Sequence, residues 1–247
     1  MLRKIVNVFY NIWCVFWLVS IFLLLYPFIF LCIQVKSWNR WGTELCHLWA
    51  DLFFFISGLW VQVDYRFVPN KKDTYIFVAN HFSYLDIAMG MKVVRNYFCY
   101  MGKSSVKKVP LLGYMFRKLH IQVDRSDKSS RMRSYKMSLK ALHSGRSLFI
   151  MPEGGIISKH IPKMHQPFKD GAFALAIETK TPIVPISFLN LYEIMPADRI
   201  FWDWPRVIVH PPLSVEGKSV EELKLEVYEI IQAEVDAYRQ RNHQENS

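Results

Sequence analysis

The chain has 247 residues, about half of them hydrophobic, and a formal charge of +10. That length fits one sizeable α/β domain plus an accessory segment. Four cysteines with no CxxC pair, three of them among apolar neighbours in the first 46 residues, argue against a disulfide framework or a cysteine zinc site and fit a reducing compartment.

Residues 12–33, IWCVFWLVSIFLLLYPFIFLCI, carry no charge, and about 18 such residues suffice for a membrane-seeking helix. Arg3 and Lys4 precede the run as in a secretory signal, but no small-residue cleavage pattern follows, and the run is too long and too aromatic. A helix is expected over 5–33, kinked or shortened at Pro27, and a second over 43–60, after QVKSWNRWG. Together they form a hairpin. Lys36 and Arg40 in the connection balance Arg3 and Lys4 at the start, so loop charge assigns no orientation. If the connection reaches the far face, both helices span; the catalytic-looking segment following so closely favours an anchor held within one leaflet. Trp13, Trp17, Trp38, Trp41, Trp49 and Trp60 suit the interface in either case, and a core helix pair of a soluble protein is the remaining reading. Residues 1–60 are thus the membrane-anchoring hairpin and 61–247 the α/β domain.

From residue 61 the period changes. VQVDYRF (61–67) alternates like a half-exposed strand, and TYIFVAN (74–80) is a continuous buried-type strand. Further strands are expected at 97–101, 120–125, 147–152, 183–189 and 206–213. Helical patterns fall at about 85–95, 107–118, 128–144, 171–180 and 219–240. This alternation predicts an α/β fold: a largely parallel central sheet of about seven strands covered by helices. Residues 154–170, rich in Gly, Pro, Lys and His, read as a long functional loop. Charge follows the same map. Residues 92–146 hold fourteen Lys/Arg against two acids, whereas 216–247 hold four against eight. The basic middle would attract nucleic acid, anionic headgroups or an acidic carrier, and the adjoining membrane-seeking segment favours lipid over nucleic acid.

FVANHFSYLDI (77–87) places His81 just past a strand and Asp86 five residues on. In one continuous helix they would lie about 140° apart. A strand ending at Asn80 and a helix starting at Tyr84, capped by Ser83, put His81 on the turn and Asp86 in the first helical turn, where the carboxylate can fold back onto the imidazole. SYLD also matches a capping box, which gives Asp86 a purely structural use. Position favours chemistry, because ligands bind at the carboxyl ends of parallel strands. On this reading His81 is a general base and Asp86 holds its tautomer. Ser83 is better used as a cap than as a nucleophile, and no G-x-S-x-G elbow exists. The histidines include no H-E-x-x-H, and no G-x-x-x-x-G-K-[ST] or G-x-G-x-x-G occurs, so neither a metal nor a nucleotide cofactor is expected.

NHFSYLD resembles the His-x4-Asp motif of the glycerophospholipid acyltransferase family, which includes 1-acylglycerol-3-phosphate (lysophosphatidate) acyltransferases. Companion segments follow in family order. GKSSVKKVPLLGYMFRKLHIQVDR (102–125) resembles the second motif, with Lys103, Pro110, Gly113 and Arg125; FIMPEGG (149–155) the third, with Pro152, Glu153 and Gly154; FKDGAFALA (168–176) and TPIVPISF (181–188) the region ending in the fourth. The likeness covers about residues 74–190.

The resemblance implies transfer of an acyl chain from a thioester carrier, acyl carrier protein or coenzyme A, to the free hydroxyl of 1-acylglycerol 3-phosphate, giving phosphatidate. His81 would deprotonate that hydroxyl, Asp86 would orient His81, and no acyl-enzyme would form. Lys103, Arg125, Glu153 and Gly154 match substrate-binding positions: Arg125 for phosphate, Glu153 for a cation or a glycerol hydroxyl, Lys103 for an anion or the carrier. It also implies a protein at the cytoplasmic membrane with its catalytic domain facing the cytoplasm. One departure stands out. The third motif usually continues after Glu-Gly with Thr or Ser and then Arg, where this chain has Gly155 and Ile156. Lys159, His160, Lys163 or Lys169 could supply the missing charge. Alternatively the acceptor is another lipid, such as an amino-acid-derived one. A non-catalytic lipid-binding protein on the same framework is the third reading.

Overall fold

A computed structural model describes residues 2–197 and 199–245; the side chains of Arg3 and Lys4, used above for orientation, lie outside the described residues. Elements follow the chain as α1 (Leu2–Gln34), α2 (Asn39–Ile56), β1 (Gln62–Tyr65), β2 (Ile76–Ala79), α3 (Leu85–Val93), β3 (Phe98–Lys103), α4 (Leu112–Leu119), β4 (Ile121–Val123), α5 (Lys128–His143), β5 (Ser147–Ile150), α6 (Gly171–Thr179), β6 (Ile183–Phe188), α7 (Leu191–Ile194), β7 (Arg206–Val209) and α8 (Val220–Glu245).

The seven strands form one sheet in the order β1-β7-β6-β2-β5-β3-β4. β6, β2, β5, β3 and β4 run parallel; β7 joins β6 antiparallel, and β1 runs parallel to β7. The largely parallel sheet expected from the alternation of elements is therefore present.

The central strand β2 is apolar at every position because both faces of the sheet are covered there, whereas the edge strand β1 is largely exposed. In β2, Phe77 and Ala79 face one apolar cluster and Ile76 and Val78 the other. The first cluster is closed by α1 to α4, through Ile29, Ala50, Phe53, Met89 and Leu119. The second is closed by α5, α6 and α8, through Leu142, Phe173, Leu223 and Val227. Residues 1–60 thus share a core with the sheet, since Phe53 and Phe54 join the same cluster as Phe77, Phe149 and Phe188.

Three boundaries differ from expectation. Pro27 does not shorten α1, which continues to Gln34; the cost of a proline in a helix, about 3 kcal/mol, is offset by packing along its length. The second helix starts and ends four residues early, because Gly58 takes φ +68° and a Schellman-type turn closes Ile56–Leu59 (Leu59 N–H to the Phe54 carbonyl, 3.0 Å). The helix expected over 107–118 is two pieces, a 3₁₀ turn at Ser104–Lys108 and α4, separated at Pro110.

Candidate active site

Four strand ends meet on one edge. β2, β5, β3 and β4 are successive neighbours running in parallel, so the residues leaving their carboxyl ends (His81, Glu153, Lys103 and Arg125) are gathered on the same side of the sheet. Sequence separation disappears through topology.

His81 sits on a turn built by carboxylates. β2 stops because Asn80 turns its side chain into the ladder of β6: Nδ2 donates to the Phe188 carbonyl (2.9 Å) and Oδ1 accepts the Phe188 N–H (2.8 Å). The next three backbone N–H groups all donate to acids. His81 N–H reaches Glu153 Oε1 at 2.7 Å, and those of Phe82 and Ser83 reach Asp86 Oδ2 at 2.9 Å each. The same Oδ2 lies 2.9 Å from His81 Nδ1. One oxygen of Asp86 thus meets the turn amides and the imidazole together. The helix starts at Leu85, one residue later than expected, so its N-cap position is Tyr84; Ser83 lies just before it, its Oγ accepting the Leu85 N–H (3.2 Å) and donating to the Met195 carbonyl (2.9 Å). It is not aimed at a substrate.

With Oδ2 accepting, the proton of His81 resides on Nδ1 and the lone pair on Nε2. Nε2 makes no hydrogen bond among the described residues, and the side chain keeps 13% of its surface exposed. Asp86 is fully buried. Burial pushes its carboxyl up, opposed by His81 and by the amides of Ser83 and Phe82; those donors favour the accepting, ionised form.

Glu153 differs from expectation. It has no exposed surface, and its second oxygen accepts the His165 N–H at 2.8 Å. Both oxygens are taken by backbone, which leaves no surface for a glycerol hydroxyl or a cation. Glu153 ties the His81 turn to the long loop. Burial pushes it up to about 7, against the pull of the His165 and His81 amides. A carboxyl raised above its ordinary value adds stability that is complete below about pH 4.5 and lost as pH rises through about 7. Accordingly, the difference in unfolding free energy between wild type and Glu153→Gln should change by about 3 kcal/mol between pH 4.5 and pH 8. Urea titrations across that range measure it, and a constant difference contradicts this reading of Glu153.

Arg125 follows β4 and lies against Gly154. Gly154 takes φ +89°, and a Cβ there would meet Arg125 Nη1 at 3.0 Å, so this position needs glycine for both conformation and space. The Arg125 guanidinium makes no hydrogen bond or ion pair with any described residue. Asp124 is engaged with Ser126, and Asp127 caps α5 through Ser129 and Ser130 (2.9 and 3.1 Å). A half-buried, unpaired fork is left beside the strand ends. Lys103 ends β3 opposite Val123 of β4 and is exposed.

Three participants were not singled out in the sequence: Asn80, the His165 amide and the Met195 carbonyl. A polar residue closing an apolar strand was a signal for Asn80. The other two are backbone groups of loops, which carry no side-chain signature.

A family model described as Acyltransferase matches residues 62–189, just over half of the chain, from β1 to the end of β6. The chain belongs to the acyltransferase family. This family's match contains His81, Asp86, Lys103, Arg125, Glu153 and Gly154. Among individual relatives, the chain is 28% identical over 174 residues to the chloroplastic 1-acyl-sn-glycerol-3-phosphate acyltransferase of Brassica napus, covering 64% of this chain and 49% of that one. It is 31% identical over 192 residues to the 1-acyl-sn-glycerol-3-phosphate acyltransferase of Saccharomyces cerevisiae, covering 74% and 61%. The chain spans about half the length of the first of these relatives. The crystal structure of the 1-acyl-sn-glycerophosphate (LPA) acyltransferase PlsC from Thermotoga maritima superposes with a TM-score of 0.78 at 19% identity, over 96% of this chain and 98% of that one. That likeness extends the shared fold to the N-terminal helices.

Proposed function

We propose that this chain transfers an acyl group from a thioester carrier to the free hydroxyl of 1-acylglycerol 3-phosphate, giving phosphatidate. The observation that carries the reading is the 2.9 Å contact between His81 Nδ1 and Asp86 Oδ2, which leaves Nε2 as a base on the edge where the unpaired Arg125 sits. Nε2 takes the hydroxyl proton, the alkoxide oxygen bonds to the thioester carbon, and the C–S bond breaks. The imidazolium, stabilised by Asp86, returns the proton to the leaving thiolate. Arg125 holds the acceptor phosphate through its fork, and Lys103 faces the anionic groups of the substrates. Relatives named as 1-acyl-sn-glycerol-3-phosphate acyltransferases support the choice of acceptor. Acyl carrier protein and coenzyme A both present such a thioester.

The same reading places the chain on the cytoplasmic membrane, within one leaflet, its catalytic face toward the cytoplasm and residues 1–60 acting as the anchor. Ile5–Gln34 is long and apolar enough to cross a bilayer, with mean hydropathy 2.5 over an 18-residue stretch. However, α1 is fastened sideways along its whole length. Tyr10 bonds to Ser57 (2.9 Å), the Leu18 carbonyl accepts Trp49 (3.1 Å), Tyr26 bonds to Leu111 (3.3 Å), and Gln34 accepts Tyr114 (3.1 Å). That attachment, and an outward face with Phe9, Phe16, Leu24 and Phe28 exposed, support burial in one leaflet.

Removing the Arg125 fork tests the acceptor. A charge-assisted contact is worth about 1.5–3 kcal/mol, so Arg125→Ala should lower kcat/KM for 1-acylglycerol 3-phosphate about 10–100-fold while leaving the apparent KM of the acyl thioester unchanged. Equal loss on an uncharged monoacylglycerol removes Arg125 from phosphate binding. Wild-type enzyme that acylates an amino-acid-derived lipid but not 1-acylglycerol 3-phosphate would favour the reading from Gly155 and Ile156 instead.

A further inference from the structure

Donors from α1 and from the segment between α7 and β7 converge on one turn. The carbonyls of Ile56, Ser57 and Gly58, beyond the reach of α2's own amides, accept Trp13 Nε1 (3.1 Å), the Tyr10 hydroxyl (2.9 Å) and Trp202 Nε1 (3.1 Å). The later segment is held elsewhere too. Asn11 exchanges two hydrogen bonds with the Ile200 backbone (2.6 and 2.9 Å), Phe201 N–H donates to the Ile194 carbonyl (2.7 Å), and Asn190 Nδ2 donates to the Trp204 carbonyl (3.0 Å). Ile200 is buried beneath it, yet Trp202 is 62% exposed, Trp204 41% and Phe201 37%.

One exposed ring is ordinary. Here a network of hydrogen bonds fixes three neighbouring rings outward, and the patch continues across the turn to Phe55 and Trp60, edge to face at 5.7 Å, both exposed. It is contiguous with the apolar outer face of α1 through Trp13 and Asn11. Trp13 and Trp202, whose indole N–H groups are already satisfied, offer an apolar body to the outside, a character suited to the headgroup boundary of a bilayer. Arg199, exposed and without an ion pair among the described residues, adds a cation for an anionic headgroup.

We propose that residues 199–204 are a second membrane-contacting element, a lip lying in the headgroup layer of the leaflet that α1 contacts. It rests on the one-leaflet reading above. Its functional consequence follows from Ser83, whose hydroxyl bonds the carbonyl of Met195, four residues before the lip (2.9 Å). The same segment therefore seats on the lipid and on the turn that carries His81, which fixes the height of the base above the membrane surface.

The test uses the full chain with Cys32→Ser; Cys14, Cys46 and Cys99 are buried. Trp202→Cys and Trp204→Cys, made separately so that one folding failure does not decide the matter, and Phe28→Cys on α1 each carry an environment-sensitive fluorophore. Vesicles of phosphatidylcholine and phosphatidylglycerol are prepared with and without nitroxide lipids. The lip predicts blue-shifted emission and about twofold or greater quenching at 202 or 204 as well as at 28. Quenching at 28 with water-like emission at both 202 and 204 overturns the lip and leaves the anchor standing. No quenching at any of the three positions overturns the anchor itself, and the lip with it.

Discussion

His81→Ala should lower the turnover of acyl transfer about 10²–10⁴-fold, the range contributed by a positioned general base. The substitution is clean for a structural reason. Glu153 Oε1 accepts the backbone N–H of residue 81, not its ring, and Asp86 Oδ2 still holds the amides of Phe82 and Ser83. The turn keeps its frame and loses only the imidazole. KM for both substrates should therefore change little, while Asp86, losing one of its three donors, should make thermal unfolding modestly easier. Initial-rate kinetics on purified, membrane-reconstituted protein give the split between kcat and KM. Wild-type turnover in the alanine variant would contradict the assignment.

Asp86→Asn should cost about 10²-fold in kcat, less than the roughly 10⁴ seen where an asparagine flips and selects the wrong histidine tautomer. Here a flip is blocked. The amides of Phe82 and Ser83 and the Nδ1 of His81 converge on one oxygen, each at 2.9 Å, so an asparagine must place its carbonyl there and its NH₂ on the other side. The tautomer survives, and what is lost is the negative charge that stabilises the imidazolium. Asp86→Ala is a different experiment. It leaves two amides without acceptors in a fully buried setting, about 1–3 kcal/mol for each, and should lower stability as well as rate. Comparing the two variants by kcat and by thermal unfolding separates charge from scaffold. Equal unfolding temperatures in both would contradict the structural half of this reading.

The inner strands were legible because burial on both faces turns them into mostly apolar runs bounded by Gly, Pro and polar turns, and β1 because a half-exposed edge strand alternates. His81 and Asp86 were legible because both lie in one local segment whose helix start constrains them. Glu153 was located but misjudged. Nothing local in PEG reveals that Ile150 and Met151 lead it into the interior or that an amide twelve residues on closes its second oxygen. Arg125 beside Gly154 joins positions 29 residues apart through the neighbouring ends of β4 and β5 across β3, a product of strand order that spacing does not encode. The FWDWP segment (201–205) was visible in the chain but has no period, and only the tertiary hydrogen bonds to Asn11 and Gly58 show that its rings are held outward.

The central claim is that the lipid hydroxyl itself, with its proton passing to His81, attacks the thioester. Thiol release by wild-type protein, measured in a single turnover with and without 1-acylglycerol 3-phosphate and followed by intact-protein mass spectrometry, tests it most directly. Direct attack predicts thiol released only when the acceptor is present, in step with ester formation, and a protein mass that never rises by an acyl group. A stoichiometric burst of thiol without acceptor, together with an acylated chain, would contradict it.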